Sequence, residues 1–172
     1  TEVSNINFEC KGDLDKINET KMTNNIVVKD NLISLIAKIG EKITLRRSNF
    51  FDKKNGFNFF YVHSAINKNI GKIIAVVKID GITKDKNDNI GNKIAMHIAA
   101  SNPLAIDKEN IKKELVHKEL EIIKAEITNS GKSAEIAEKI SKGKISKFIN
   151  ENTLLNQMWI MDSKKKVSDI LK

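Results

Sequence analysis

A glycine, a lysine and a hydroxyl residue follow one another at Gly131-Lys132-Ser133, the order that closes a phosphate-binding P-loop. In a P-loop this tripeptide lies between a strand and a helix, so that backbone amides and the helix N-terminus face the phosphate. Here Glu126 occupies the position of the first required glycine, and the tripeptide joins two predicted helices. The pattern is therefore typical of a turn, and we expect no phosphate site there.

The residues that could bind a metal or act in catalysis are scattered. His63, His97 and His117 lack the paired spacing of a zinc site, and Cys10 is the only cysteine. No histidine has an identifiable base or nucleophile partner in the sequence, and the glutamates of residues 109–128 alternate with lysines as on a solvated helix face. We therefore predict no metal, no cofactor, no disulfide and no enzymatic activity, and the single thiol favours a reducing compartment.

The net charge of +8 raises the question of nucleic acid. Apart from Arg46 and Arg47 every cation is lysine, whereas phosphate and base recognition usually recruits the bidentate arginine side chain. Lysine, asparagine and isoleucine are abundant in every segment, which indicates a general compositional bias. No apolar run approaches the roughly 20 residues that a membrane span needs. We expect a cytoplasmic or organellar protein.

The first half of the sequence alternates between helical and strand-like patterns. Residues 1–25 are polar and read as a lead-in, with a short helix near 13–17. Asp30 is expected to cap a helix that Gly40 ends. Three antiparallel strands are predicted at 43–51, 57–63 and 71–79, with turns at 52–56 and at Asp80-Gly81. Such a sheet needs a helix against one face.

The second half is mainly helical. A helix from Asn87 to Ser101 would place Ile90, Ile94 and Ile98 on one face before Pro103 breaks it. Residues 154–161 are predicted to be extended, and 167–171 to form a last short helix.

A helical hairpin is predicted between these parts. Its first arm, residues 109–128, carries a narrow apolar seam, and its second arm starts at Ser133 after a reversal at 129–131. Gly143 predicts a local irregularity in the second arm. The seam residues of the first arm are Val116, Leu120, Ile123 and Ile127, and the facing residues of the second are Ile136, Ile140, Ile145, Phe148 and Ile149.

His97 has two interpretations. It lies beside the Ile90, Ile94 and Ile98 face, so it fits a hydrogen-bonded histidine at the edge of a core. Alternatively, it projects from a rigid helix into a binding partner. The residues alone leave both interpretations open.

Six segments in order resemble the elongation factor Ts family, from Leu32 to Leu171. They are Leu35-Ile-Ala-Lys-Ile-Gly-Glu41 with Ile43-Thr-Leu-Arg-Arg47, Tyr61-Val-His63, Ile70-Gly71, Ile94 to Ala100 with Pro103, Gly131-Lys132 with 136–140 and 143–148, and Leu154-Leu155 with Gln157. The resemblance implies an α+β fold of two small antiparallel-sheet subdomains, with helices on one face and an inserted antiparallel coiled-coil hairpin. The implied domains are 1–86, 87–115, 116–151 and 152–172.

The same resemblance implies a guanine-nucleotide exchange factor of translation that binds elongation factor Tu, in its GDP-bound and nucleotide-free forms, and promotes GDP release. Ile70, Gly71 and His97 match the family's partner-contacting positions. The family's N-terminal helical domain, its Thr-Asp-Phe-Val segment and its C-terminal module have no counterpart here, so we expect the sequence to be an excerpt. The alternative function is a lysine-rich RNA- or ribosome-binding module.

Overall fold

A computed structural model describes residues 2–52, 54–67, 70–81, 89–128 and 134–171 of the chain. Two compact units are present, Thr1–Lys54 and Asn55–Lys172. The described residues contain seven α-helices and two small antiparallel sheets of two strands each. The predicted α+β class is therefore confirmed. The finer domain boundaries at 86, 115 and 151 stay predictions.

The first unit is built from three helices, α1 (Glu2–Glu9), α2 (Leu14–Glu19) and α3 (Val28–Ile39). Its core consists of Ile6, Ile17 and Val28. The lead-in predicted for residues 1–25 is wrong, since these apolar side chains are spaced to meet across the helices, but the short helix predicted near 13–17 is confirmed as α2. Asp30 is not the cap of α3, because the helix already begins at Val28, whereas Gly40 ends it in the left-handed conformation as predicted.

The strand predicted at 43–51 is wrong: residues 42–52 form no helix or strand. Side chains, and not a strand ladder, hold this segment within the first unit. The Asn7 amide donates to the carbonyl of Asn49 at 3.1 Å, the Ser48 hydroxyl donates to the carbonyl of Gly12, and the ring of Phe50 meets Phe8 edge-on. The predicted three-stranded sheet is accordingly two-stranded.

The second unit opens with a long β-hairpin. Strand β1 (Gly56–Asn67) pairs antiparallel with β2 (Ile70–Asp80), from Gly56 opposite Asp80 to Asn67 opposite Ile70. Their aromatic and β-branched residues favour pleated strands. Helix α4 (Ile90–Ser101) packs against both strands, and Gly91 lies so near the Phe59 ring that a Cβ there would overlap it. The predicted strands 57–63 and 71–79 are thus confirmed, with longer bounds.

The main core lies between α4 and the C-terminal segment. That segment consists of a 3-10 turn (Leu154–Asn156), strands β3 (Met158–Trp159) and β4 (Asp162–Lys166), and helix α7 (Val167–Ile170). The extended structure predicted for 154–161 is interrupted by this turn. The buried cluster consists of Ile94, Leu154, Trp159 and Val167, with Ile90 and Ile98 packed against it. The predicted apolar face of α4 is confirmed.

Helices α5 (Lys113–Thr128) and α6 (Ala134–Asn152) pack against each other. Ile123 and Ile127 of the predicted seam are buried, whereas Ile136 of the facing set is 51% exposed. Helix α6 continues through Gly143, so the predicted irregularity is wrong: a glycine weakens a helix without breaking its hydrogen bonds. The predicted turn at 129–131, the cap Ser133 and the Gly131-Lys132-Ser133 tripeptide lie outside the described residues. None of the described helices is long and apolar enough to span a bilayer.

Backbone hydrogen bonds hold the base of this helical pair. The stretch 104–106 precedes the pair, the stretch 152–155 follows it at the end of α6, and the two are joined to each other. Leu104 N–H donates to the carbonyl of Asn152 at 2.8 Å, and Leu154 N–H donates to Ala105 at 2.9 Å. The stretches of chain that precede and follow the pair of helices are therefore adjacent.

A candidate partner-binding site at the first hairpin and His97

Ile70 and Gly71 begin β2 at the end of the strand pair where Asn67 lies opposite Ile70. The register shifts between Ala65 and Asn67, so Ile66 is an extra residue there and its side chain is 76% exposed. Ile70 itself is 38% exposed. This end of the hairpin therefore presents isoleucine side chains to solvent.

Gly71 is needed for packing inside the hairpin. A Cβ at this position would lie 2.5 Å from Cγ1 of Val62 and 2.7 Å from the carbonyl oxygen of His63. Both distances are shorter than real Cβ contacts, so a side chain would push β1 away. The close approach at Gly71 is between the backbones of β1 and β2, and contact of this glycine with a partner stays a prediction.

His97 lies in the core of the second unit with no exposed surface. Its ring stacks on Trp159, with 5.3 Å between the centroids and 25° between the planes. Nε2 is 3.0 Å from Oε1 of Gln157, and the N–H of Ile160 points to Nδ1 at 3.4 Å. The structure thus has the hydrogen-bonded core histidine that the sequence left open, and direct contact of His97 with a partner stays a prediction.

These partners determine the tautomer of His97. A backbone N–H can only donate, so Nδ1 accepts from Ile160, and the proton of the neutral ring sits on Nε2 and is donated to Gln157. The Gln157 amide nitrogen then donates to the carbonyls of Ser101 at 3.3 Å and Glu151 at 2.8 Å. Every polar group in this network has a partner of the correct kind.

Burial lowers the pKa of His97 below its ordinary value because the charged ring is stripped of water, and the hydrogen bond with Gln157 opposes this less strongly. Protonation would also place an N–H at Nδ1 against the N–H of Ile160. The site therefore favours the neutral imidazole, which acts here as an orienting group.

The segment that His97 holds carries exposed apolar side chains. Ile160 and Met161, at the turn between β3 and β4, are 43% and 44% exposed, while the neighbouring Trp159 is 5% exposed. Sequence reasoning did not identify Ile160, and it named Gln157 only as part of the family resemblance and not as a partner of His97. The available signal was a glutamine among apolar residues of a segment read as extended, but nothing in its spacing pointed to His97, 60 residues away.

The predicted site residues occupy two places in the second unit. Ile70 and Gly71 lie at the end of the β1–β2 hairpin, and His97 lies beneath the β3–β4 turn. Helix α4 connects these places, because it packs on the hairpin and bears His97. His63 is exposed beside Tyr61, and His117 is paired with Glu121. Within the described ranges, no group of three His, Cys, Asp or Glu side chains is placed to hold a metal ion.

Comparison with known proteins supports the resemblance found in the sequence. The family model described as elongation factor TS matches residues 3–172. The chain is 33% identical over 171 residues to elongation factor Ts of Gluconobacter oxydans, covering 99% of this chain and 57% of that protein. It is 38% identical over 160 residues to that of Acinetobacter baylyi, covering 93% and 50%, and 33% identical over 174 residues to that of Rickettsia bellii, covering 100% and 56%. The chain spans about half the length of these curated relatives. The chain belongs to the elongation factor Ts family.

Proposed function

We propose that this chain is part of a translation elongation factor that binds elongation factor Tu in the cytoplasm and promotes its release of GDP. The observation that carries the proposal is the family match over residues 3–172. The relatives are named elongation factor Ts, which refers to translation elongation. That this chain promotes nucleotide exchange and binds elongation factor Tu is our proposal.

The mechanism requires no acid, base or covalent intermediate. If the factor binds nucleotide-free Tu more tightly than GDP-bound Tu, then by linkage it must weaken GDP binding by the same factor. A conformation of Tu with misplaced phosphate and magnesium ligands would release nucleotide faster. GTP then binds by mass action, so a binding protein suffices for exchange.

Two apolar surfaces of the second unit are the proposed contacts. One is the hairpin end with Ile70 and Gly71, and the other is the β3–β4 turn with Ile160 and Met161. His97 acts through the second surface, since its Nδ1 accepts the N–H of Ile160 while its ring has no surface of its own. Exposed aliphatic side chains on a rigid backbone are suited to serve as anchors in a partner's pocket.

The reciprocity of linkage provides the test. Purified chain is titrated into nucleotide-free bacterial elongation factor Tu, and the titration is repeated at increasing GDP concentrations. We expect a complex whose apparent affinity falls as GDP rises, by a factor within the usual coupling range of about 5 to 150. Faster release of a fluorescent GDP from preloaded Tu is the kinetic counterpart. Absence of a complex with nucleotide-free Tu at micromolar concentrations would contradict the proposal.

A further inference from the structure

A cleft of about 670 Å³ lies between α6 and the segment that carries β3 and β4. Five residues of α6 line one wall: Gly143, Ser146, Lys147, Asn150 and Glu151. Their spacing of three, four, seven and eight residues places them on one face of the helix. This wall is a polar stripe that includes none of the isoleucines of α6.

Gly143 is the residue of this wall that the fold itself does not explain. It lies in the interior of the 19-residue helix α6, where glycine is less stable than alanine. A Cβ at this position would meet nothing within 4 Å, so no described neighbour requires its absence. Gly71 and Gly91 differ, because a Cβ there would collide with β1. The bare backbone at Gly143 leaves room for something that enters the cleft.

The charges of the cleft favour an anionic occupant. Lys147 projects from α6, and Lys166 lines the opposite wall at the end of β4. Glu151 is the one carboxylate among the lining residues, and its Oε1 is 3.7 Å from the Nζ of Lys147. Because both side chains of this pair are mostly exposed, the pair is weak and a second carboxylate can compete for the lysine.

The shape and chemistry of the lining favour a polypeptide over RNA. None of the described residues that line the cleft is aromatic, so the bases of an RNA would have no aromatic ring to stack on. A missing side chain on a helix allows another backbone to approach closely, and Met158 offers an apolar contact on the opposite wall.

We propose that this cleft binds an extended acidic segment of a partner protein, which crosses α6 at Gly143 with its carboxylates between Lys147 and Lys166. The inference goes beyond the proposed exchange function, since neither Ile160 nor the β1–β2 hairpin lines the cleft. The cleft does adjoin the His97 network, because Ser101, Glu151 and Gln157 are among its lining residues.

The test uses the whole chain and a fluorescein-labelled peptide of alternating glycine and glutamate. Binding is followed by fluorescence anisotropy and by amide chemical-shift changes. We expect salt-sensitive binding, with shifts at Gly143, Ser146 and Asn150. The same peptide with glutamine in place of glutamate should not bind. Equal binding of both peptides, or shifts elsewhere in the chain, would overturn the proposal.

Four substitutions make the test specific. Lys166→Glu should weaken binding by about threefold or more, while Lys165→Glu makes the same charge change at the adjacent residue, which is not among the lining residues, and should have little effect. Glu151→Gln should strengthen binding, because it removes the competing carboxylate. Gly143→Ala should raise the thermal midpoint of unfolding and yet weaken binding. An unchanged affinity in Gly143→Ala, or equal losses in the two lysine variants, would contradict the proposal.

Discussion

At His97, buried hydrogen bonds set the protonation state and orientation of one side chain. Nδ1 must remain an acceptor for Ile160, and Nε2 must remain a donor to Gln157. The stacked ring of Trp159 fills the space on one face. A second proton would remove the acceptor without supplying a new partner. The neutral ring thus holds the backbone of the turn that carries Ile160.

This arrangement predicts a pH dependence of stability. Because the pKa of His97 is lowered in the folded state, the unfolded chain binds more protons on the acidic side of the ordinary value of about 6.5. The stabilisation is therefore fully present above that pH and is lost as the pH falls below it, toward the folded-state value. Urea unfolding between pH 5 and pH 8, followed by the fluorescence of Trp159, should show this loss.

His97→Gln is the matched control for the pH series. A glutamine amide both donates and accepts hydrogen bonds but does not titrate in this range. The variant should be less stable at pH 8 and should lose less stability on acidification than the natural chain. The same slope in both proteins would mean that other groups cause the acid sensitivity.

Ile160 provides a prediction about binding at the same scale. Ile160→Ser should weaken the complex with nucleotide-free elongation factor Tu by about tenfold, because an apolar anchor becomes polar. The free energy of unfolding should change by less than about 1 kcal/mol, since the side chain is already 43% exposed. Ile136→Ser makes the same change at a residue that is 51% exposed on α6, and it should leave the affinity unaltered. Equal effects of the two substitutions would remove Ile160 from the proposed surface.

Among the elements, those with a strong internal period could be predicted from the sequence. The buried faces of α4 and α5 followed from isoleucines at helical spacing, because one side of each helix must be covered. The segment 43–51 has strand-like residues, but it is held by contacts with α1 and the turn at Gly12. Such contacts produce no regular spacing of apolar residues in the sequence. The candidate site was predicted only in part for the same reason. Gln157 joins α4 to the end of α6 through single hydrogen bonds between distant residues.

The helical pair α5–α6 is built as an addition to the core. The stretches of chain that flank it meet where Leu104 and Ala105 are hydrogen-bonded to Asn152 and Leu154. Replacing residues 116–149 by a short glycine-serine linker should therefore leave the second unit folded. We expect cooperative unfolding and a buried Trp159, whose emission is the measurement.

Two controls test whether the helical pair is only inserted into the core or also supports its folding. The deletion retains Glu151, whose carbonyl accepts from Gln157, and the Glu151 backbone should therefore still hold the network of His97. Ile123→Asp in the full chain places a charge in the buried seam and should unfold α5 and α6 while Trp159 stays buried. Loss of the Trp159 signal in either protein would show that the helical pair supports the core.

At the scale of the whole molecule, the excess positive charge is not gathered on the helical pair. Lysines of α6 face glutamates one turn away, as in Lys139–Glu135 and Lys142–Glu138, and Lys144 reaches across to Glu126 on α5. Such pairs contribute little to stability, but they give these helices a surface on which positive and negative charges alternate. The proposed contacts with elongation factor Tu are apolar, whereas RNA binding depends on charged contacts. The affinities of the two kinds of complex should therefore respond differently to salt.

A salt titration should therefore distinguish the two functions. A module that neutralises about six phosphates of single-stranded RNA loses affinity with a slope of about −4 in log K against log salt. For the complex with elongation factor Tu we expect a slope smaller than about 2 in magnitude, because aliphatic side chains at Ile70, Ile160 and Met161 release few counterions. Binding of a uridine oligonucleotide with the steep slope, together with no complex with Tu, would replace the exchange-factor proposal by the RNA-binding alternative.

In that case Lys164→Glu and Lys166→Glu would weaken the RNA complex, since both lysines are exposed on β4.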